Sequence, residues 1–300
     1  MTISSETILV TTALEESWGK DEYIVFLGEW CKKYSRKHVW QFRKSRTHTY
    51  HWADRTKLAQ DHDLVKESYE RTLTWLSGEL NRLHNVNHSK RYWRIVLGPW
   101  LMFYMHVVWN RWEEIRRVLD DHKEISTLIP KDEVSAPIAK DFEMAQKLGF
   151  SDEWNYLLFL DILKNLNAGQ VNFREVSISL NFDLLMKESF KVSLKTKIAI
   201  FIDRLVGSLN FKNSYRVVIY DGYFPLGRLI LCFLKIGQLP RLFREFTLPI
   251  DFLAPDYPTR KKFKHSNSAI SDFEKFLIDK IPLDLPIAYL EGYGLSLIHI

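Results

Sequence analysis

Thr7–Trp30 reads TILVTTALEESWGKDEYIVFLGEW. Its two apolar runs, Thr7–Ala13 (TILVTTA) and Tyr23–Trp30 (YIVFLGEW), are short, rich in β-branched or aromatic residues and separated by a polar, turn-like stretch. Runs of that length and composition are buried strands. Downstream, the chain is polar, basic and aromatic from Cys31 to about Asp61. Two long helical patterns follow. In the first, Leu64, Tyr69, Leu73, Leu76, Leu80 and Leu83 recur at spacings that put them broadly on one face. The second runs from about Trp100 to Asp121, with Pro99 suited to its first turn, where a missing N–H costs little.

From Thr127 to Gly149 loop signals surround a short amphipathic segment, and helices are expected at Asn155–Leu166 and Lys195–Leu205. A strand at Tyr215–Asp221, a turn at Gly222–Pro225 and an apolar helix at Leu226–Ile236 make a strand–turn–helix unit. That succession predicts an α/β protein with parallel strands. Beyond Gly237 the chain is punctuated by prolines, carries a basic loop at Arg260–His265 (RKKFKH) and ends with a helix near Ser271–Lys280.

At 300 residues, 46% hydrophobic and 26% charged, the chain can bury a sizeable core in one large domain or two ordinary ones. Two cysteines, Cys31 and Cys232, exclude a disulfide scaffold and a cysteine-rich metal module. Ile95–Trp109 is the longest uncharged stretch and falls short of the roughly 20 residues a membrane-spanning helix needs. With no export signal visible in the first residues, the expected location is the cytoplasm, with peripheral contact at the membrane face left open. A net charge of +5 suits an anionic ligand without demanding nucleic acid. All ten tryptophans lie at or before Trp154.

Three stretches are dense in chemistry. Tyr50–Arg55, YHWADR, offers an imidazole, an indole, a carboxylate and a guanidinium within six residues. These groups serve a polar ligand, or Asp54 and Arg55 simply cap and brace the following helix. Lys90–Trp100, KRYWRIVLGPW, puts Arg91 and Arg94 on one helical face, where they clamp an anion or pair with nearby acids. Gly98 and Pro99 would re-aim the backbone before a helix whose first N–H groups attract an anion. The basic run Lys32, Lys33, Arg36, Lys37, Arg43, Lys44 and Arg46, interleaved with Tyr34, Trp40 and Phe42, fits a polyanion or a solvated loop. Metal motifs are weak: His84 and His88 have no glutamate between them and sit in a turn-like, Asn-rich stretch, His48 and His51 lack a third ligand at motif spacing, and Asp61 with Asp63 reads as helix capping. G-x-G-x-x-G, Walker and G-x-S-x-G signatures are absent.

FLGEWC (Phe26–Cys31), HWADR (His51–Arg55), ELNRLHN (Glu79–Asn85), RYWRIVLGPWL (Arg91–Leu101), NRW (Asn110–Trp112), YDGYFP (Tyr220–Pro225), GQLPR (Gly237–Arg241) and IPLDLPIAYLEGY (Ile281–Tyr293) follow in order. This series resembles the N-terminal part of a family of transferases found with bacterial O-antigen and surface-carbohydrate genes. Members are longer, with a C-terminal His-Gly-Gly segment, absent here, in a part that resembles the nucleotide-sugar half of two-domain glycosyltransferases. The ending Leu295–Ile300, LSLIHI, resembles translated sequencing adaptor.

The resemblance implies an α/β, Rossmann-like (GT-B-like) N-terminal half over residues 1–285 with a Trp-rich helical insertion at about 40–125. Residues 286–300 would link to a missing second domain. It implies transfer from an activated, nucleotide-linked sugar donor, a substrate rather than a cofactor, to a glycan or lipid-linked acceptor. The fragment alone would be inactive. Asp54, His51 and Glu29 are then the candidate catalytic groups. Trp52, Arg55, Arg91, Trp93 and Arg94 are the candidate substrate-binding ones, with no metal. The alternative is a non-catalytic module that holds polyanionic carbohydrate, lipid carrier or nucleic acid through Lys32–Arg46; nucleic acid is the least expected partner.

Overall fold

The computed structural model describes residues 6–167, 169–183, 225–237, 253–264 and 269–296. Met1–Lys187 with Ile250–Ile300 forms one compact unit, and Glu188–Pro249 forms another. In the first unit, β1 (Thr7–Val10), β2 (Tyr23–Phe26), β3 (Ser45–Thr47), β4 (Ile125–Pro130) and β5 (Val171–Val176) make one sheet in the order β3-β2-β1-β4-β5. All pairings are parallel, so the chain is a mixed α/β protein. The helices are α1 (Lys37–Trp40), α2 (Arg55–His84), α3 (Lys90–Asp121), α4 (Phe142–Gly149), α5 (Asp152–Leu166), α6 (Leu226–Lys235), α7 (Tyr257–Arg260), α8 (Asp272–Asp284) and α9 (Tyr293–Ser296). Of the second unit, only α6 and its immediate flanks are described. No helix among the described residues is long and apolar enough to cross a membrane.

Strands β1 and β2 are the two opening runs, with Ile8, Leu9, Val10, Ile24, Val25 and Phe26 all buried. A parallel sheet covered on both faces needs side chains that are apolar without alternation, which is what these runs supply. The stretch read as loop from Thr127 is instead part of β4, which pairs with both β1 and β5. Ser126 and Thr127 made it look polar. Folding satisfies them internally: the Ser126 hydroxyl donates to Glu6 and that of Thr127 to the Leu9 carbonyl. The strand expected at Tyr215–Asp221 and the helix at Lys195–Leu205 lie outside the described residues; the apolar helix at Leu226 is α6.

Between β3 and β4 the chain crosses over as a long helical hairpin, α2 and α3. Asp54 caps α2 by accepting from the N–H groups of Thr56 (2.8 Å) and Lys57 (3.3 Å), and Ser89 caps α3 through the Tyr92 N–H. Asn85, at φ 53°, ends α2 in the left-handed region. Helix α3 runs unbroken through Gly98 and Pro99, so no new helix begins there. Pro99 is exposed, as is Ile95, and the proline ring leaves the Ile95 carbonyl without its helical N–H donor. Gly98 lies where the helices touch: a Cβ there would come within 2.9 Å of the Tyr69 hydroxyl. Asp61 and Asp63 sit inside α2, not at its start, and Asp61 is buried. Tryptophans 93, 100, 109 and 112 pack along α3, with Trp109 and Trp112 at 4.8 and 5.8 Å from the Phe273 ring of α8.

Candidate functional site

Parallel sheets place their variable loops at the carboxyl ends of the strands, and here those ends gather buried polar groups. Thr11 and Thr12 follow β1 and are almost fully buried. The Trp30 indole N–H donates to the Thr11 carbonyl (2.9 Å) and the Trp18 indole N–H to that of Thr12 (3.2 Å). Gly28 admits the Trp30 ring, because a Cβ there would lie 2.1 Å from it. Trp30 meets Tyr50 edge to face at 6.2 Å, and Tyr50 meets His51 at 5.3 Å. These contacts carry the edge from β1 to the loop after β3.

In that loop His51 is completely buried, and its backbone N–H donates to Glu114 Oε1 of α3 (3.0 Å). The Asn110 amide donates to His51 Nε2 (2.9 Å) and to the Tyr50 hydroxyl (3.1 Å), while Asn110 Oδ1 accepts from Arg111 (2.6 Å). With Nε2 accepting, the imidazole proton sits on Nδ1, 3.4 Å from Asp61 Oδ2 and poorly aligned with it. Asp61 also takes the Trp52 indole N–H and the Lys57 ammonium, both at 2.9 Å, and Lys57 reaches Glu113 at 2.8 Å. His48 lies 3.1 Å from Asp121 through Nε2, and its Nδ1 is 3.6 Å from Glu114 Oε2, too far for a hydrogen bond. Thr12 Oγ1, His48 Nδ1, His51 Nδ1 and Glu114 Oε2 therefore remain without a hydrogen-bond partner. Of the buried side-chain polar atoms in that state among the described residues, only Trp109 Nε1 lies elsewhere. Native proteins leave few such atoms, so their concentration along one sheet edge marks it for function.

Arg111 belongs to the same edge. Its guanidinium is held by two neutral amides, Asn110 Oδ1 and Asn155 Oδ1 (2.9 Å), and burial pushes its pKa down. It makes no ion pair with any described residue, although the buried Glu114 carboxylate nearby favours its charged form, and its guanidinium can still meet an anion. Among the described residues, no group of three or more His, Cys, Asp or Glu is arranged to hold a metal ion.

The residues singled out by sequence divide accordingly. His51 and Trp52 enter the cluster. Asp54 caps α2, and Arg55, exposed on its first turn, makes no ion pair with Asp54. Glu29 is exposed and pairs with Lys32 at 2.9 Å. Arg94 forks onto Glu70, at 2.5 and 2.7 Å, and Arg91 is exposed on the first turn of α3. Sixteen residues of helix, about 24 Å, separate Arg94 from Asn110. Trp93 is fully buried with its N–H on Asn81 Oδ1 (2.9 Å), which leaves no ring face for a sugar. Most of the basic run is tied internally: Lys33 to Asp152, Arg36 to Glu15, Arg43 to the Trp18 and Gly19 carbonyls, and Arg46 to His122. Sequence reasoning missed Thr12, Asn110, Arg111 and Glu114, and weighed His48 only as a metal ligand. The NRW stretch was the available signal for two of them.

Burial pushes the His51 pKa down, and that of His84 likewise. The fold favours the neutral form of both, whereas the unfolded chain protonates them near 6.5. Their contribution is therefore complete above that value and declines as pH falls through it. The melting temperature should begin to drop between pH 7 and 5. That is well before the range of Glu70, held at about 2 by its Arg94 and Lys90 bonds. A melting temperature that stays flat to pH 5 would count against the buried neutral imidazoles.

Along residues 7–296 the chain matches the family model described as LIC12162 family transferase. No curated protein and no solved structure gives a significant match.

Proposed function

We propose that this chain, which belongs to the LIC12162 family of transferases, moves a sugar or related group from an activated, nucleotide-linked donor to a glycan acceptor in O-antigen or other surface-polysaccharide synthesis. The observation that carries the reading is the sheet order β3-β2-β1-β4-β5, in which the direction of crossover reverses between β1 and β4. Doubly wound sheets of the Rossmann type bind ligands outside the carboxyl ends of the strands at such a reversal. The partnerless Thr12 hydroxyl follows β1 at this point, and the orphaned atoms of His48, His51 and Glu114 extend along the same edge.

Transfer from a phosphate-linked donor develops negative charge on the leaving group, which a fixed cation stabilises. Arg111 supplies it in this reading. Asn110 positions Arg111, and His51 positions Asn110, so His51 acts as a positioning residue rather than as the proton acceptor. Glu114 anchors the loop by holding the His51 backbone.

Calorimetric titration with pyrophosphate and a panel of nucleoside diphosphates tests the reading. At least one should bind, and Arg111→Gln should weaken it by about tenfold or more. Thr12→Val should weaken it without loss of stability, since removing an unpartnered buried hydroxyl is close to neutral for the fold. Absence of binding by all of these anions, or unchanged affinity in both variants, would overturn the assignment.

A further inference from the structure

Helices α5 and α8, the carboxyl end of β4 and Tyr257 line a cleft of about 520 Å³. Apolar side chains such as Ile129, Leu160 and Leu283 share its lining with charged ones such as Lys131, Glu133 and Lys164, and one ion-paired assembly is set into its wall. Lys280 lies between two carboxylates, with its ammonium 2.5 Å from Asp161 Oδ2 and 3.9 Å from Asp284 Oδ1. The Tyr104 hydroxyl donates to Asp284 Oδ2 at 2.7 Å and fixes that carboxylate from behind. Lys280 and Asp284 are mostly buried, while Asp161 is 40% exposed.

Withdrawing this many charges from water costs more than an apolar contact between the same helices would, so stability alone does not account for the assembly. What it provides is a donor flanked by two acceptors, held rigid at the wall of a cleft. Adjacent hydroxyls of a sugar ring, each both donor and acceptor, match that pattern. Tyr257, 53% exposed at the cleft, offers an aromatic ring for the apolar face of the same sugar. Ligand-orienting clefts combine apolar walls with fixed polar groups, and the large polar share of this one suits a hydroxyl-rich ligand.

We infer that this cleft is a saccharide-binding subsite, in which Lys280 donates to, and Asp161 and Asp284 accept from, neighbouring hydroxyls of one neutral sugar unit of the acceptor. That the sugar belongs to the acceptor rests on the transfer reading above; that the cleft binds a sugar does not.

Saturation-transfer NMR on the full chain with methyl glycosides of glucose, galactose, mannose and N-acetylglucosamine tests it. Ring protons of at least one glycoside should receive saturation, and Asp161→Asn and Tyr257→Ala should each weaken binding by about tenfold. Both positions are exposed enough for the variants to keep the fold, which circular dichroism checks. No signal from any glycoside, or equal signal in the wild type and both variants, overturns the subsite. Pyrophosphate binding measured on the same samples separates the two readings. If it persists while the sugar signal is absent, the subsite alone fails; if it is absent while the sugar signal responds to both variants, the transfer reading alone fails.

Discussion

Trp93→Ala should lower folding stability by about 3–5 kcal/mol, the range for emptying a fully buried tryptophan site. The indole packs 5.3 Å from the Tyr92 ring, 5.2 Å from Tyr293 and 6.2 Å from His84, and its N–H is committed to Asn81. Asn81 also accepts the His88 N–H and donates to the His88 carbonyl, so it braces the turn between α2 and α3. Loss of Trp93 therefore loosens the closed end of the hairpin as well as leaving a cavity. Arg94→Ala, one residue along, should change stability by no more than about 1 kcal/mol. Its partner Glu70 is 43% exposed and Arg94 itself 41%, so water replaces each for the other. Denaturant unfolding of the two variants compares them directly. A Trp93→Ala protein as stable as Arg94→Ala would mean that the ring is not part of the core and would return it to the list of ligand-binding candidates.

Arg260→Ala should be comparably damaging. Its side chain is completely buried and forks onto Glu291, with both contacts at 2.8 Å. Its remaining nitrogen donates to the carbonyls of Pro282 and Leu285, at 2.8 Å each. Those carbonyls end α8, where no further turn of helix can take them. Removing the guanidinium leaves a carboxylate that is only 8% exposed without its counter-charge, together with two unpaired carbonyls, at a cost of about 3–5 kcal/mol. Arg260→Lys should recover little, because an ammonium cannot fork onto Glu291 and reach both carbonyls at once. Arg260→Met with Glu291→Leu should recover much of the loss, since replacing both charges removes the uncompensated one. Unfolding midpoints of the three variants decide the matter: a single Arg260→Ala change that leaves the midpoint in place would sink the account.

Arg260 also shows where reading the chain reaches its limit. RKKFKH reads as a solvated basic loop, and no spacing within it separates one buried arginine from its exposed neighbours. The partner carboxylate lies 31 positions downstream. The same limit divides the candidate site. YHWADR located the loop after β3 because polar density there is high, and three of its members, Tyr50, His51 and Trp52, do belong to the cluster. Glu114, Asn110 and Arg111 come from the far half of α3, 59 to 63 positions beyond the His51 they touch or support. Arg91, Trp93 and Arg94 drew attention for the same density. Their contacts with the hairpin are structural.

Local sequence determined the strands and helices whose environment repeats along the chain. Continuous apolar runs specified β1 and β2, because a strand buried on both faces has no polar side to show. Recurrence at three to five positions specified α2, because one face of it meets the core. Side chains that are satisfied only across the fold gave no such signal: Ser126 and Thr127 hid β4, and Pro99 suggested a helix start where α3 runs straight through. The tertiary structure alone decided which polar groups are buried together and which are left without partners. Hydrogen bonding and desolvation act between groups brought into contact by the crossover from β3 to β4, whatever their separation in sequence.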